Sequence, residues 1–183
     1  VDLLVIGSDE VFHCTQSNPQ VGYAKELFGE GNQAKRVVSF AASFGTTTLS
    51  LLKEKGIDGE IEQMLSCFSS LSVRDRHSWE MVKALTGREA YMHIDPALLY
   101  DFSQEIPKET VCKDTIIVYA YSGRMQAREI AAIQDFAVKH KKELVSIGTY
   151  QPFCQKNLSH VSPFSLLAYI RDADFIITDT FHG

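Results

Sequence analysis

The sequence lacks any apolar run near the roughly 18 residues that a spanning helix needs, which excludes a membrane-crossing helix. It also lacks a basic tract. Its 18 Lys and Arg are scattered among 23 Asp and Glu, giving a net charge of −5, so electrostatic binding of nucleic acid has no footing. Its four cysteines, at positions 14, 67, 112 and 154, form no C-x-x-C pair. That spacing reads as reduced thiols of a cytoplasmic protein, neither a disulfide frame nor a zinc site. Histidines 13, 77, 93, 140 and 160 show no paired spacing on one face, so no histidine-based metal site is expected. There is no G-x-x-x-x-G-K-[ST], G-x-G-x-x-G after a strand, G-x-S-x-G or H-E-x-x-H. P-loop hydrolysis, dinucleotide binding and serine hydrolysis lose ground accordingly. A starting Met and a charged-then-apolar leader are absent, and both ends fall in or beside strands. The chain therefore reads as an internal segment of a longer protein.

What is present is a chain of 183 residues, 45% hydrophobic, in which strand and helix patterns alternate. Residues 1–6 form a continuous apolar strand of the kind covered on both faces. Residues 10–34, with Asn18-Pro19, Gly22, Gly29 and Gly31, read as loop with one short helix. A second strand spans 36–42, and Ser43-Phe44-Gly45-Thr46 turns out of it. Ile61, Met64, Leu65 and Phe68 follow the i, i+3, i+4, i+7 rule of an amphipathic helix. Strand 71–74 precedes a helix capped by Asp75, with Trp79, Val82 and Leu85 on one face and Gly87 near its stop. Strand 91–94 is broken by Asp95-Pro96. Residues 101–114 are polar, carry Pro107 and read as a linker.

The pattern then restarts with strand 115–121, and Ser122-Gly123-Arg124 leads into a helix bearing Ile130, Ile133 and Ala137. Strand 144–147 follows, then a helix begun by Ser162-Pro163, with Leu166, Leu167 and Ile170 inward, then strand 175–178. Alternation of this kind predicts an α/β fold with parallel sheets. It divides into a domain over 1–100, a linker over 101–114, and the first half of a second domain over 115–183.

Parallel strands present ligands at their carboxyl ends. Two such ends are polar: Gly7-Ser8-Asp9 after the first strand and Thr178-Asp179-Thr180-Phe181-His182-Gly183 after the last. Together they predict one cleft served by two sheets. Gly7 permits a sharp turn or a close ligand approach, and Asp9 is either a site carboxylate or a turn cap. The small residues of 39–45 either cradle an anion on backbone amides near Ser43 and Gly45 or pack tightly on a helix. Arg74, leaving an apolar strand, must meet a phosphate or carboxylate, Asp75 or another nearby acid among them. Arg124 is a phosphate contact or a solvated side chain, with solvation favoured. His182 has the side chain suited to proton transfer near neutral pH; the alternative is a packed histidine bonded to Asp179.

Taken in order, Val5-Ile6-Gly7-Ser8-Asp9-Glu10-Val11-Phe12, Ser39-Phe40-Ala41-Ala42-Ser43-Phe44-Gly45, Leu71-Ser72-Val73-Arg74-Asp75, Asp95-Pro96-Ala97-Leu98-Leu99 and Thr178-Asp179-Thr180-Phe181-His182-Gly183 resemble the polysaccharide pyruvyl transferase family across the whole chain. The resemblance implies a GT-B-like fold of two Rossmann-like domains, the second truncated here. It implies transfer of pyruvate from phosphoenolpyruvate to two hydroxyls of a saccharide or lipid-linked saccharide, forming a cyclic ketal. It implies a cytoplasmic enzyme with no cofactor beyond that donor, no metal, no nucleic acid, and room for peripheral membrane association. By the same likeness His182 and Asp9 are catalytic, and Arg74, Ser8, Ser43, Gly45 and Thr180 bind substrate. The chain departs from the family at Glu10, Phe12 and His13, where the pattern has Gln, Trp and Asn, and at Thr180, where Ser is common. The first departures point to acceptor choice. Two other readings stand beside it: a nucleotide-sugar glycosyltransferase on the same fold, and a sugar-binding module without catalysis.

Overall fold

The computed structural model describes residues 1–17, 22–109 and 111–183; Asn18 and Pro19, read above as loop, lie outside them. The chain forms two compact units, Val1–Tyr100 and Asp101–Gly183, so residues 101–114 fall within the second. Both are α/β with parallel sheets, as the alternating pattern requires.

In the first unit, β1 (Leu3–Ile6) pairs in parallel with β2 (Arg36–Ser39), and β3 (Ser72–Val73) with β4 (Tyr91–Met92). Bridges Val38–Ser70 and Ala42–Val73 join the two pairs into a continuous layer. The regular strands are shorter than their apolar runs. Strand β2 stops at Ser39 because Ala41 takes a φ of 51°, which turns the chain before pairing resumes at Ala42. The loop 10–34 contains one 3₁₀ turn, Lys25–Phe28, as expected.

Helices α1 (Leu49–Lys55), α2 (Asp58–Ser66) and α3 (Arg76–Thr86) share one core with the sheet. The sequence reading contained no α1; it is a two-turn helix held at its start by the Thr48 hydroxyl, which accepts from Leu51 N at 3.2 Å. Asp75 caps α3 as expected, accepting from Ser78 N at 2.7 Å. Val82 and Leu85 are buried as read, with Met81 beside them, while Trp79 packs at the margin. Phe12 is fully buried, stacked on Phe28 with ring centroids 4.9 Å apart and flanked by Phe44 and Phe68. Full burial of such a side chain stabilises by about 1.5–3 kcal/mol. Position 12 therefore belongs to the core, and its departure from the family pattern bears on packing before acceptor choice.

The second unit has strand order β7-β6-β5-β8, built from β5 (Thr115–Tyr119), β6 (Glu143–Ile147), β7 (Lys156–Leu158) and β8 (Phe175–Thr178). Side chains alternate across β5, and the two faces receive different helices. Ile116 and Val118 pack with Ile133 and Ala137 of α4 (Ala127–His140), whereas Ile117 packs with Leu166 and Tyr169 of α5 (Pro163–Asp172). Helix α4 starts later than Gly123-Arg124 implied, with the Glu129 carboxylate accepting from Gln126 N at 2.7 Å. Strand β7 was not read, since Lys156-Asn157-Leu158 carries no apolar run; as an edge strand it needs none.

The chain runs β5, β6, β7 in one direction and returns to place β8 on the other side of β5. That reversal makes a topological switch point between the carboxyl ends of β5 and β8, the place where open α/β sheets take ligands. The opposite edge is architectural. There Asp172 accepts from Val111 N and Asp174 from Thr115 N, both at 2.9 Å. The Arg171 guanidinium beside Asp172 holds that carboxyl down at about 2. Among the described residues no helix is long and apolar enough to cross a membrane.

Candidate active site

At the carboxyl edge of the first sheet, β1 enters Gly7, whose φ is 133°. A Cβ there would lie 2.1 Å from the Phe40 carbonyl oxygen, so only glycine lets β1 leave beside β2. The close approach that glycine permits is thus to backbone. Ser8 follows, half-buried, and Asp9 takes a φ of 69°, a left-handed conformation that Asp tolerates better than most residues.

That turn aims Asp9 at the end of β3. Arg74 Nη2 donates to Asp9 Oδ1 at 2.9 Å, and Nη1 donates to Asp95 Oδ2 at 2.5 Å. The guanidinium is a fork between two carboxylates, a geometry that charge-assisted hydrogen bonds favour. Of the alternatives read for Arg74, a nearby acid is what it meets, but the acids are Asp9 and Asp95; Asp75 is occupied capping α3. The three partners differ in exposure. The Arg74 and Asp95 side chains are 5% and 7% exposed, whereas Asp9 is 66% exposed. Asp95 is also fixed through its second oxygen, since Oδ1 accepts from Ala97 N at 3.0 Å.

Asp95 is the member that sequence reasoning missed. Asp95-Pro96 looked like a strand breaker, and nothing local tied it to an arginine earlier in the chain. The usable signal was the cost of burying Arg74: one exposed carboxylate does not neutralise a guanidinium this far from water.

Ser43 and Gly45 are brought together within the turn after β2. Gly45 N donates to Ser43 Oγ at 3.0 Å, and Phe44 N donates to Ser78 Oγ at 2.8 Å. Ser43 is buried, so the small-residue segment is tight packing of a turn against α3. Gly45 also makes room for an exposed pair. A Cβ on it would stand 2.7 Å from His13 Nδ1, and that imidazole meets Glu10 Oε2 at 2.8 Å. Glu10 and His13, two of the departures from the family pattern, are therefore coupled to each other a residue away from Asp9.

In the second unit, Thr178 and Thr180 are joined through their hydroxyls at 3.0 Å, and Thr180 N donates to Thr178 Oγ1 at 3.0 Å. These bonds curl the chain after β8. His182 follows, its ring edge-on to Phe181 at 4.9 Å. Asp179, read as an alternative partner for His182, has another place: Oδ1 accepts from Tyr121 N at 3.0 Å, and Oδ2 lies 3.7 Å from Arg124 Nε. It ties the loop after β5 to the end of β8 across the switch point. Arg124 is largely exposed, as read, yet it stacks over the Tyr121 ring at 4.4 Å and pairs with Asp179.

The cysteines supply no competing nucleophile. Burial pushes the Cys154 thiol up to about 11 and raises Cys14 and Cys112 as well, so these remain protonated thiols at neutral pH.

The chain thus carries two sets of polar side chains, each at the carboxyl edge of a parallel sheet, one built on an arginine between aspartates and the other ending in a histidine. No curated protein and no solved structure matches it. The family model described as polysaccharide pyruvyl transferase matches residues 1–183, the whole chain, and the protein belongs to that family.

Proposed function

We propose that the protein transfers pyruvate from phosphoenolpyruvate to two hydroxyls of a saccharide, either a polysaccharide or its lipid-linked precursor, as a GT-B-like transferase working in the cytoplasm. The observation that carries this reading is the family match over the full chain, which takes in both the Gly7-Ser8-Asp9 and the Phe181-His182 motifs. Pyruvyl transfer to a polysaccharide follows from family membership; the donor and the form of the acceptor are our assignment.

The chemistry sets what the residues must do. A proton delivered to the methylene carbon of phosphoenolpyruvate leaves an oxocarbenium-like centre at the neighbouring carbon. A first sugar hydroxyl attacks that centre, inorganic phosphate leaves, and a second hydroxyl closes the ketal. We assign His182 as the acid that protonates the methylene, because imidazole holds and releases a proton near neutral pH. We assign Asp9, the exposed carboxylate, as the base that accepts a hydroxyl proton. Arg74 meets the donor's negative charge, as a guanidinium is suited to do for phosphate and carboxylate alike. Ser8 and Thr180 flank the two ends, and Ser43 with Gly45 shapes the turn beside Asp9.

Calorimetry separates this from a glycosyltransferase or a sugar-binding module. The intact protein is titrated with phosphoenolpyruvate and, separately, with a panel of nucleotide sugars. Saturable heat with phosphoenolpyruvate and none with nucleotide sugars is expected. Selective binding of a nucleotide sugar would transfer the assignment to glycosyl transfer.

A further inference from the structure

We infer that Asp9 occupies, in the free protein, the position on Arg74 that the anionic donor takes, so that donor binding displaces it. The inference rests on phosphoenolpyruvate being the donor. Three observations carry it. Both terminal nitrogens of Arg74 are engaged by carboxylates, and its side chain is only 5% exposed. The two carboxylates are unequal: Asp95 is buried and held through both oxygens, whereas Asp9 is 66% exposed and reaches Arg74 through Oδ1. The cluster also sets one positive charge against two negative ones, which repels an anion approaching the same guanidinium.

An anion bearing phosphate and carboxylate is therefore accommodated when Asp9 swings off Nη2 and Asp95 stays. Asp95 is a positioning residue: it keeps the guanidinium at the sheet edge while its other nitrogen changes partner. The exposed carboxylate has an easy exit to water, where its hydration replaces the lost hydrogen bond. Displacement also couples two events. The base is detached from its arginine only once the donor is present, so the donor binds before the acceptor hydroxyl is activated, and a sugar arriving first meets a carboxylate still held by Arg74.

Asp9→Asn tests this, read by calorimetric binding of phosphoenolpyruvate to the intact protein without turnover. If Asp9 covers Arg74 about nine-tenths of the time, the apparent Kd stands about tenfold above its intrinsic value, and removing the charge recovers that factor. About tenfold tighter binding is expected for Asp9→Asn. Glu10→Gln removes the same charge one residue away from a carboxylate paired with His13, and should change the Kd by less than about twofold, since general field effects are screened at physiological salt. Asp95→Asn should weaken binding, opposite in sign to Asp9→Asn. Unchanged or weaker binding to Asp9→Asn, with wild-type binding intact, overturns the displacement and leaves the donor assignment standing. Equal gains from Asp9→Asn and Glu10→Gln also overturn it, reducing the effect to overall charge. No binding to any of the proteins overturns both the displacement and the donor.

Discussion

His182→Ala in the intact protein is expected to lower kcat for phosphate release from phosphoenolpyruvate, measured with acceptor present, by about 10²–10⁴-fold. The reason lies in the reaction. The donor's enol ether has a carbon as its basic atom, and water at neutral pH protonates carbon slowly. An acid held against that carbon supplies the proton in the step that makes the neighbouring centre electrophilic. Binding of the donor should change far less than turnover, because charge recognition is assigned to Arg74. Added imidazole should restore part of the rate, since a small acid can enter the space the ring leaves. Alanine tolerated at this position with full turnover would remove the acid role and leave His182 as a ring packed on Phe181.

Arg74→Met should act on stability as well as on activity. Methionine keeps much of the side chain's length and removes the charge. Asp95 then sits 7% exposed with only the Ala97 amide as a printed polar partner besides the lost guanidinium. Removing one member of a buried ion pair typically costs about 3–5 kcal/mol, because the other charge stays behind without compensation. For a unit the size of Val1–Tyr100 that corresponds to a Tm lower by on the order of 10–20 °C in calorimetry. Arg76→Ala provides the contrast. Its ion pair with Glu80 has side chains 75% and 57% exposed, and such pairs contribute at most about 1 kcal/mol. Adding Asp95→Asn to Arg74→Met should recover part of the lost stability, since a neutral amide is cheaper to bury. A stable Arg74→Met protein would mean that the Asp95 carboxylate finds water or another cation.

How much of this was legible depended on whether the determining partner lay nearby in sequence. Strands β5, β6 and β8 are apolar runs long enough to be seen, and α3 and α5 announce themselves through Asp75 and Ser162-Pro163. Strand β7 and helix α1 are short and mixed in composition, and they exist because neighbours pair with or cover them. Strand β2 was read too long because an alanine at positive φ leaves no mark on hydropathy. The site divides in the same way. Asp9, Arg74 and His182 stood out as polar residues at the ends of apolar strands. Asp95 did not, because its role is set by an arginine distant in sequence and by burial. Asp179 was placed beside His182 by proximity in sequence, whereas strand order puts it against Tyr121 and Arg124 across the switch point. Phe12 looked like a specificity change and is core, a distinction that only packing reveals.

The most direct measurement supplies the intact enzyme with phosphoenolpyruvate labelled with ¹³C at its second carbon, together with saccharide acceptors, and follows that carbon by NMR. The vinyl signal should disappear with stoichiometric release of phosphate, and a quaternary ketal carbon attached to sugar should appear. Labelled carbon recovered as free pyruvate, or left in unreacted donor with every acceptor while a nucleotide sugar is consumed instead, would contradict pyruvyl transfer from phosphoenolpyruvate.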